Sequence, residues 1–220
     1  MYSESKYQRI WKLNYVPSYY EGISEEQQRD NKIVIDFKNG IYDEDVMIWF
    51  RRRIWNITRK DEPAWTVCFM PCSNDKEQQK RFGKLAEYLK KTTRENICLS
   101  AFGFVENRKP SHSSGQTKID VMDIGINIPD ISKISNNKVI IIDDVLTSGK
   151  TFERTADQAM LTGARTVVGL FLAKTKHPNL PKKTKQMSKK DIEDALIQEE
   201  AEIMNKLSSF PSEDEKILIK

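Results

Sequence analysis

The chain has 220 residues, a formal net charge of +4, a pI near 8.8, and 38% hydrophobic against 31% charged residues. That length suits one α/β domain with additions, the mild cationic excess suits polyphosphate binding without demanding nucleic acid, and no apolar run reaches the roughly 18 residues of a membrane-spanning helix. The first residues lack the apolar core of a secretory signal, and Cys68, Cys72 and Cys98 have no metal-ligand spacing, so a reducing cytoplasm is expected.

Residues 1–40 read as aromatic-rich and irregular, except that Ile33-Val34-Ile35-Asp36-Phe37 predicts a strand before a turn at Asn39-Gly40. A helix is predicted over 43–57. Asp43, Glu44 and Asp45 suit its start, Arg51, Arg52 and Arg53 its later turns, and Val46, Trp49, Phe50, Ile54 and Ile57 its apolar face. The arginine triplet alone is not a nucleic-acid patch. Residues 65–70 predict the first core strand, ending in a turn-rich loop at 71–75. A helix over 76–91 follows, with Phe82, Leu85, Ala86 and Leu89 inward, and with Lys80, Arg81 and Lys84 adding charge near the loop. Residues 97–105 predict the second core strand. The polar interval 106–137, with a short strand or hairpin over 121–128, is long enough to suggest a functional loop. Residues 166–172 predict the third core strand, and a basic linker leads to a last helix over 189–207, with Ser188 and Asp191 forming a capping-box-like start. That helix is expected to pack on the core or on a second copy of the chain.

The most informative stretch is Val139-Ile140-Ile141-Ile142-Asp143-Asp144-Val145-Leu146-Thr147-Ser148-Gly149-Lys150-Thr151. Four apolar residues without alternation predict a strand buried on both faces of a parallel sheet. The chain leaves at the carboxyl end, where open α/β sheets bind ligands. A helix is predicted from about Thr151, with Phe152, Ala156, Ala159 and Met160 on one face and Gly163 as its stop. Its N-terminus offers unpaired N–H groups to a phosphate, and Thr147, Ser148 and Thr151 add hydroxyls. Gly149-Lys150-Thr151 does not make a nucleotide P-loop, because Asp144 stands where that motif needs its first glycine. On the residues alone, the other reading is a buried strand ending in two solvated acids that cap a helix.

Residues 139–151 resemble the phosphoribosyl-pyrophosphate (PRPP) motif of type I phosphoribosyltransferases, in which four apolar residues and two acids precede a hydroxyl–glycine loop. The resemblance covers about residues 65–175 and implies an α/β fold, a parallel-sheet core with helices on both faces. It implies three segments: an N-terminal hood or packing element over 1–60, the phosphoribosyltransferase core over 61–176, and a basic linker with C-terminal helix and tail over 177–220. It implies that Asp143 and Asp144 bind the ribose hydroxyls at the reacting centre and that Thr147, Ser148, Gly149, Lys150 and Thr151 wrap the 5′-phosphate. It places Cys72, Ser73 and Asn74 at a pyrophosphate loop, and Arg108, Lys109 and His112 in a mobile loop closing over the site. Mg²⁺ would be held through PRPP rather than by a protein cage, and the acceptor would be an unidentified nitrogenous nucleophile. Cys72 is not expected to act as a nucleophile. Met70-Pro71 and the helix over 79–89 are similar in character to the competence-associated, amidophosphoribosyltransferase-like branch. The chain departs from that branch in having Arg81-Phe82-Gly83-Lys84, in lacking its Arg/Asn pattern near 123–127, and in lacking preceding zinc-finger cysteines. Three functions follow as alternatives: a phosphoribosyltransferase, a PRPP- or nucleotide-sensing protein without turnover, and a nucleic-acid-associated protein of the DNA-uptake kind.

Overall fold

Val139, Ile140, Ile141 and Ile142 have no exposed surface, which requires a strand covered on both sides. In a computed structural model, which describes residues 6–60, 65–104, 124–126 and 130–181, they lie in β6 (Lys138–Leu146). β6 pairs in parallel with β2 (Thr66–Phe69) on one side and with β7 (Thr166–Thr175) on the other. β3 (Asn96–Cys98) extends the sheet beyond β2, and β1 (Gln8–Tyr15) beyond β7, giving a five-stranded parallel sheet in the order β1-β7-β6-β2-β3. The described elements all belong to one compact unit, residues 1–180.

Two apolar layers cover the sheet. One face packs against α1 (Glu25–Lys38), α2 (Glu44–Thr58) and α3 (Asp75–Thr92), through Val34, Phe37, Phe50, Ile54, Phe82 and Leu89. The other packs against α5 (Lys150–Leu161) and the short α4 (Ile131–Ile134), through Phe152, Ala156, Ala159 and Ile134. A two-stranded antiparallel ribbon, β4 (Phe102–Phe104) with β5 (Ile124–Ile126), joins this second layer. The expected α/β class, a parallel sheet between helical layers, is what the chain forms. Among the described residues no helix is long and apolar enough to cross a membrane.

Several elements differ from their sequence-based expectation. Residues 33–37 are helical, not extended: they end α1, which Ser24 caps by accepting from Gln27 N at 3.2 Å. Asn31, Val34 and Phe37 are buried at three-residue intervals while Ile35 is exposed, so helical spacing overrides the β-branched run. Residues 8–15 are not irregular but form β1, an edge strand whose mixed residues bury little. The predicted strand over 97–105 breaks into β3 and β4, because the chain turns at 99–101 and the Gln78 amide holds the Leu99 carbonyl at 2.8 Å. Arg51, Arg52 and Arg53 lie in the middle of α2, whose last turn holds no basic residue. Met160 is exposed, and Thr155 takes the inward place beside Ala156 and Ala159. The predicted helix over 189–207 lies outside the described residues.

The joint between β1 and α1 rests on Asn31, whose amide donates to Val16 O at 2.7 Å and accepts from Val16 N at 2.9 Å. Both groups are buried, so removing the amide strands a backbone donor and acceptor. Asn31→Ala is expected to lower unfolding free energy by about 2–3 kcal/mol, read as a lower urea midpoint with an unchanged m-value.

Candidate functional site

The strand order reverses between β2 and β6. From β2 the chain passes through α3 to β3 on one side, and from β6 through α5 to β7 on the other. Such a switch point opens a crevice at the carboxyl ends of the two strands. β2 stops at Phe69, opposite Ile142, and Met70 N donates to Ile142 O at 2.9 Å. β6 runs on to Leu146, paired only with β7. Asp143 and Asp144 are therefore inside the strand rather than at its tip, yet they stand where the neighbour on one side has ended.

Asp144 is 4% exposed. Its Oδ1 accepts from Val145 N at 2.6 Å. Its Oδ2 lies 3.4 Å from Arg81 of α3 and 3.7 Å from Lys38 at the end of α1. Oδ2 is buried and accepts no hydrogen bond. Two cations thus offset its charge while one lone-pair face is left for a donor. Asp143 is half-buried, and its Oδ1 accepts from Asp144 N at 2.8 Å. Burial pushes the Asp143 carboxyl well above the usual range, and the charge of Asp144 beside it adds to the rise.

The bend at 147–149 leads into α5. Gly149 takes a left-handed conformation at φ 78° and, as the N-cap, has no side chain to bond the helix, while Ser148 Oγ accepts from Lys150 N at 3.4 Å. Ser24, Asp43 and Asn74 cap α1, α2 and α3; α5 has no such cap from its N-cap residue. Thr147, Ser148, Lys150 and Thr151 are exposed around this bend, and Gly149 is buried beneath the Arg9 side chain. Asp143 and Asp144 lie in β6, and the turn follows where that strand ends at Leu146.

The loop after β2 is more committed. Cys72 N donates to Gln78 Oε1 at 2.8 Å, and Asn74 Oδ1 accepts from Glu77 N at 2.9 Å. Ser73 is exposed. Burial raises the Cys72 thiol to about 11, with Asp143 and Asp144 adding to the rise and Arg81 opposing it; at neutral pH it is a thiol and a poor nucleophile. Arg108, Lys109 and His112 lie outside the described residues. Arg81 is the cation near the loop that reaches the acids. Lys38 and the cations of β1 and β7 gave no sequence signal, because their approach to the motif depends on chain reversal across the sheet.

No protein-family model matches the chain, and no curated protein matches it. Among solved structures it is similar to a hypoxanthine-guanine phosphoribosyltransferase from Bacillus anthracis at 14% identity and a TM-score of 0.41, covering 63% of this chain and 74% of that one. A hypoxanthine phosphoribosyltransferase from Staphylococcus aureus gives 18% identity and 0.38, over 66% and 70% of the two chains. An APRTase from Giardia lamblia gives 13% and 0.35, over 60% and 80%. Likenesses this low carry no inference about activity, which has to come from the geometry.

The raised Asp143 carboxyl has a measurable consequence. The folded chain binds this proton more tightly than the unfolded chain does, so the contribution of Asp143 to stability is fullest below about pH 4 and falls as pH rises through the raised value. Asp143→Asn keeps the Oδ1 acceptor and removes the penalised charge. Thermal melts from pH 4 to 8 are expected to show a higher Tm for this variant at neutral pH, with the difference vanishing in acid.

Proposed function

We propose that the chain is a phosphoribosyltransferase-like protein. In this reading it binds PRPP, or a nucleotide carrying a ribose 5-phosphate, with its 5′-phosphate at the 147–151 turn and its ribose hydroxyls at Asp143 and Asp144. The observation that carries this is Asp144 Oδ2, a buried oxygen with ion-pair neighbours but no hydrogen bond, close in sequence to a glycine turn that starts a helix without an N-cap side chain. A ribose hydroxyl supplies the missing hydrogen, and a phosphate takes the free helix donors. A phosphorylated sugar is one ligand that satisfies both.

The reaction proposed is transfer of the phosphoribosyl group to a nitrogenous acceptor. The bond from C1′ to the pyrophosphate oxygen breaks with its electron pair, and the acceptor nitrogen forms the new bond to C1′. The carboxylates hold the sugar and favour the positive charge developing on it. Among the described residues no group of three His, Cys, Asp or Glu side chains makes a metal cage. Mg²⁺ would instead be held through the ligand, since it commonly keeps water and substrate phosphates in its coordination shell. When bound there, Mg²⁺ would neutralise charge on the leaving pyrophosphate.

One observation favours a second reading, binding without turnover. The Cys72 amide and the Asn74 side chain already have internal partners, so the pyrophosphate side is thinly provided. Pyrophosphate release from PRPP with Mg²⁺ and a panel of bases, amines and ammonia separates the two. Release supports the transferase, binding without release supports a sensor, and steeply salt-dependent DNA binding would support a nucleic-acid role instead. Asp144→Asn is expected to weaken PRPP binding by tenfold or more, about 1.4 kcal/mol, with the far-ultraviolet spectrum intact. Unchanged affinity by calorimetry would refute the ribose assignment.

A further inference from the structure

The turn at 147–149 has a second wall that its own segment does not provide. Tyr7 and the β1 residues Arg9 and Trp11, together with Lys174 of β7, face Thr147 and Ser148 across a cleft of about 390 Å³. Arg9 lies directly on the turn: a Cβ at Gly149 would stand 2.5 Å from Arg9 Nη1. Its side chain is 16% exposed. Arg9 Nη2 donates to Glu153 in the first turn of α5, and the guanidinium lies 5.5 Å from the centre of the Phe152 ring. Arg9 Nε is buried with no acceptor. Lys174 sits 4.5 Å over the Trp11 ring and forms no ion pair with a carboxylate among the described residues.

A largely buried guanidinium with an unused donor is costly unless an acceptor arrives. Glu153 takes one nitrogen and leaves Nε and Nη1 beside the turn. The second cation, Lys174, faces the same space from the far wall. We propose that Arg9 and Lys174 are side-chain ligands of a phosphomonoester dianion seated at this turn, so that the two edge strands grip the phosphate together with the glycine bend and the end of α5. The proposal rests on reading the turn as a phosphate site. It adds that this site is incomplete without β1, and that it favours an anion, since two cations and a helix N-terminus converge there while Glu153 offsets part of the Arg9 charge.

The test titrates the full chain with inorganic phosphate and with ribose 5-phosphate, with ribose as the uncharged control. Binding is followed by calorimetry and by Trp11 fluorescence, assigned with Trp11→Phe. Arg9→Gln is expected to weaken both phosphate ligands by about tenfold and Lys174→Met by about fivefold, as charge-assisted hydrogen bonds are lost. Glu153→Gln is expected to tighten both severalfold, and to do so more in the wild-type background than in Arg9→Gln, because only the former also releases Arg9 Nη2; an equal gain in both would be the mere loss of a nearby negative charge. Lys12→Met, an exposed change elsewhere on β1, should leave binding unchanged. If Arg9→Gln fails to fold, Lys174→Met decides the matter. Wild-type affinity in Arg9→Gln and Lys174→Met overturns the proposal and leaves the turn as a phosphate site by itself. Equal weakening by Lys12→Met reduces the effect to general surface charge and also overturns it. A wild-type chain that binds neither phosphate ligand overturns the reading of the turn as well.

Discussion

Two adjacent carboxylates on a strand whose preceding four residues are fully buried form the constraint around which the molecule is arranged. A carboxylate cannot be withdrawn from water without partners. Asp144 has Arg81, Lys38 and the Val145 amide, and Asp143 has the Asp144 amide. These partners come from α1 and α3 as well as from β6 itself, so the helices of one layer are positioned by charge as well as by their apolar faces. Tyr42 reinforces this by donating to the Arg81 carbonyl, and Lys38 lies over the Tyr15 ring. The compensation stops short of completion at Asp144 Oδ2, which has ion-pair neighbours but no hydrogen bond.

The crevice follows from unequal strand lengths. β2 has four residues and β7 has ten, so β6 loses one neighbour while keeping the other. Regular pairing with β7 holds the acids in a fixed register, and the early end of β2 leaves them without a strand neighbour on that side, Asp143 half-buried and Asp144 buried. Function placed on a sheet in this way is rigid on one side and open on the other. Gln78 ties the open side together, since its amide bonds both the Cys72 N–H and the Leu99 carbonyl.

Much of this was legible in the amino-acid order, and the rest was not for identifiable reasons. Unbroken aliphatic runs in β6 and β7 and three- and four-residue spacing in α2 and α3 announced themselves, because burial is written directly into periodicity. Residues 33–37 misled, since three β-branched or aliphatic neighbours look extended until the Ser24 cap and the inward Asn31 are weighed. β1 was silent because an edge strand buries little, here Ile10 and Leu13 only in part. The 139–151 segment showed the acids and the glycine bend. The cations facing them come from residues 9, 38, 81 and 174, and no local pattern connects positions so far apart in the chain.

The attachment of β1 has a kinetic corollary. Lys6 and Tyr7 hold Asp157, and β1 pairs along its length with residues 168–175. Within this unit β1 is made before its mate and has no partner strand until almost all of the unit has been synthesised. Contacts that close so large a loop form late and slowly. An anion seated between the two would report that the final stitch of the sheet has been made, and would draw the assembly equilibrium towards that closed product.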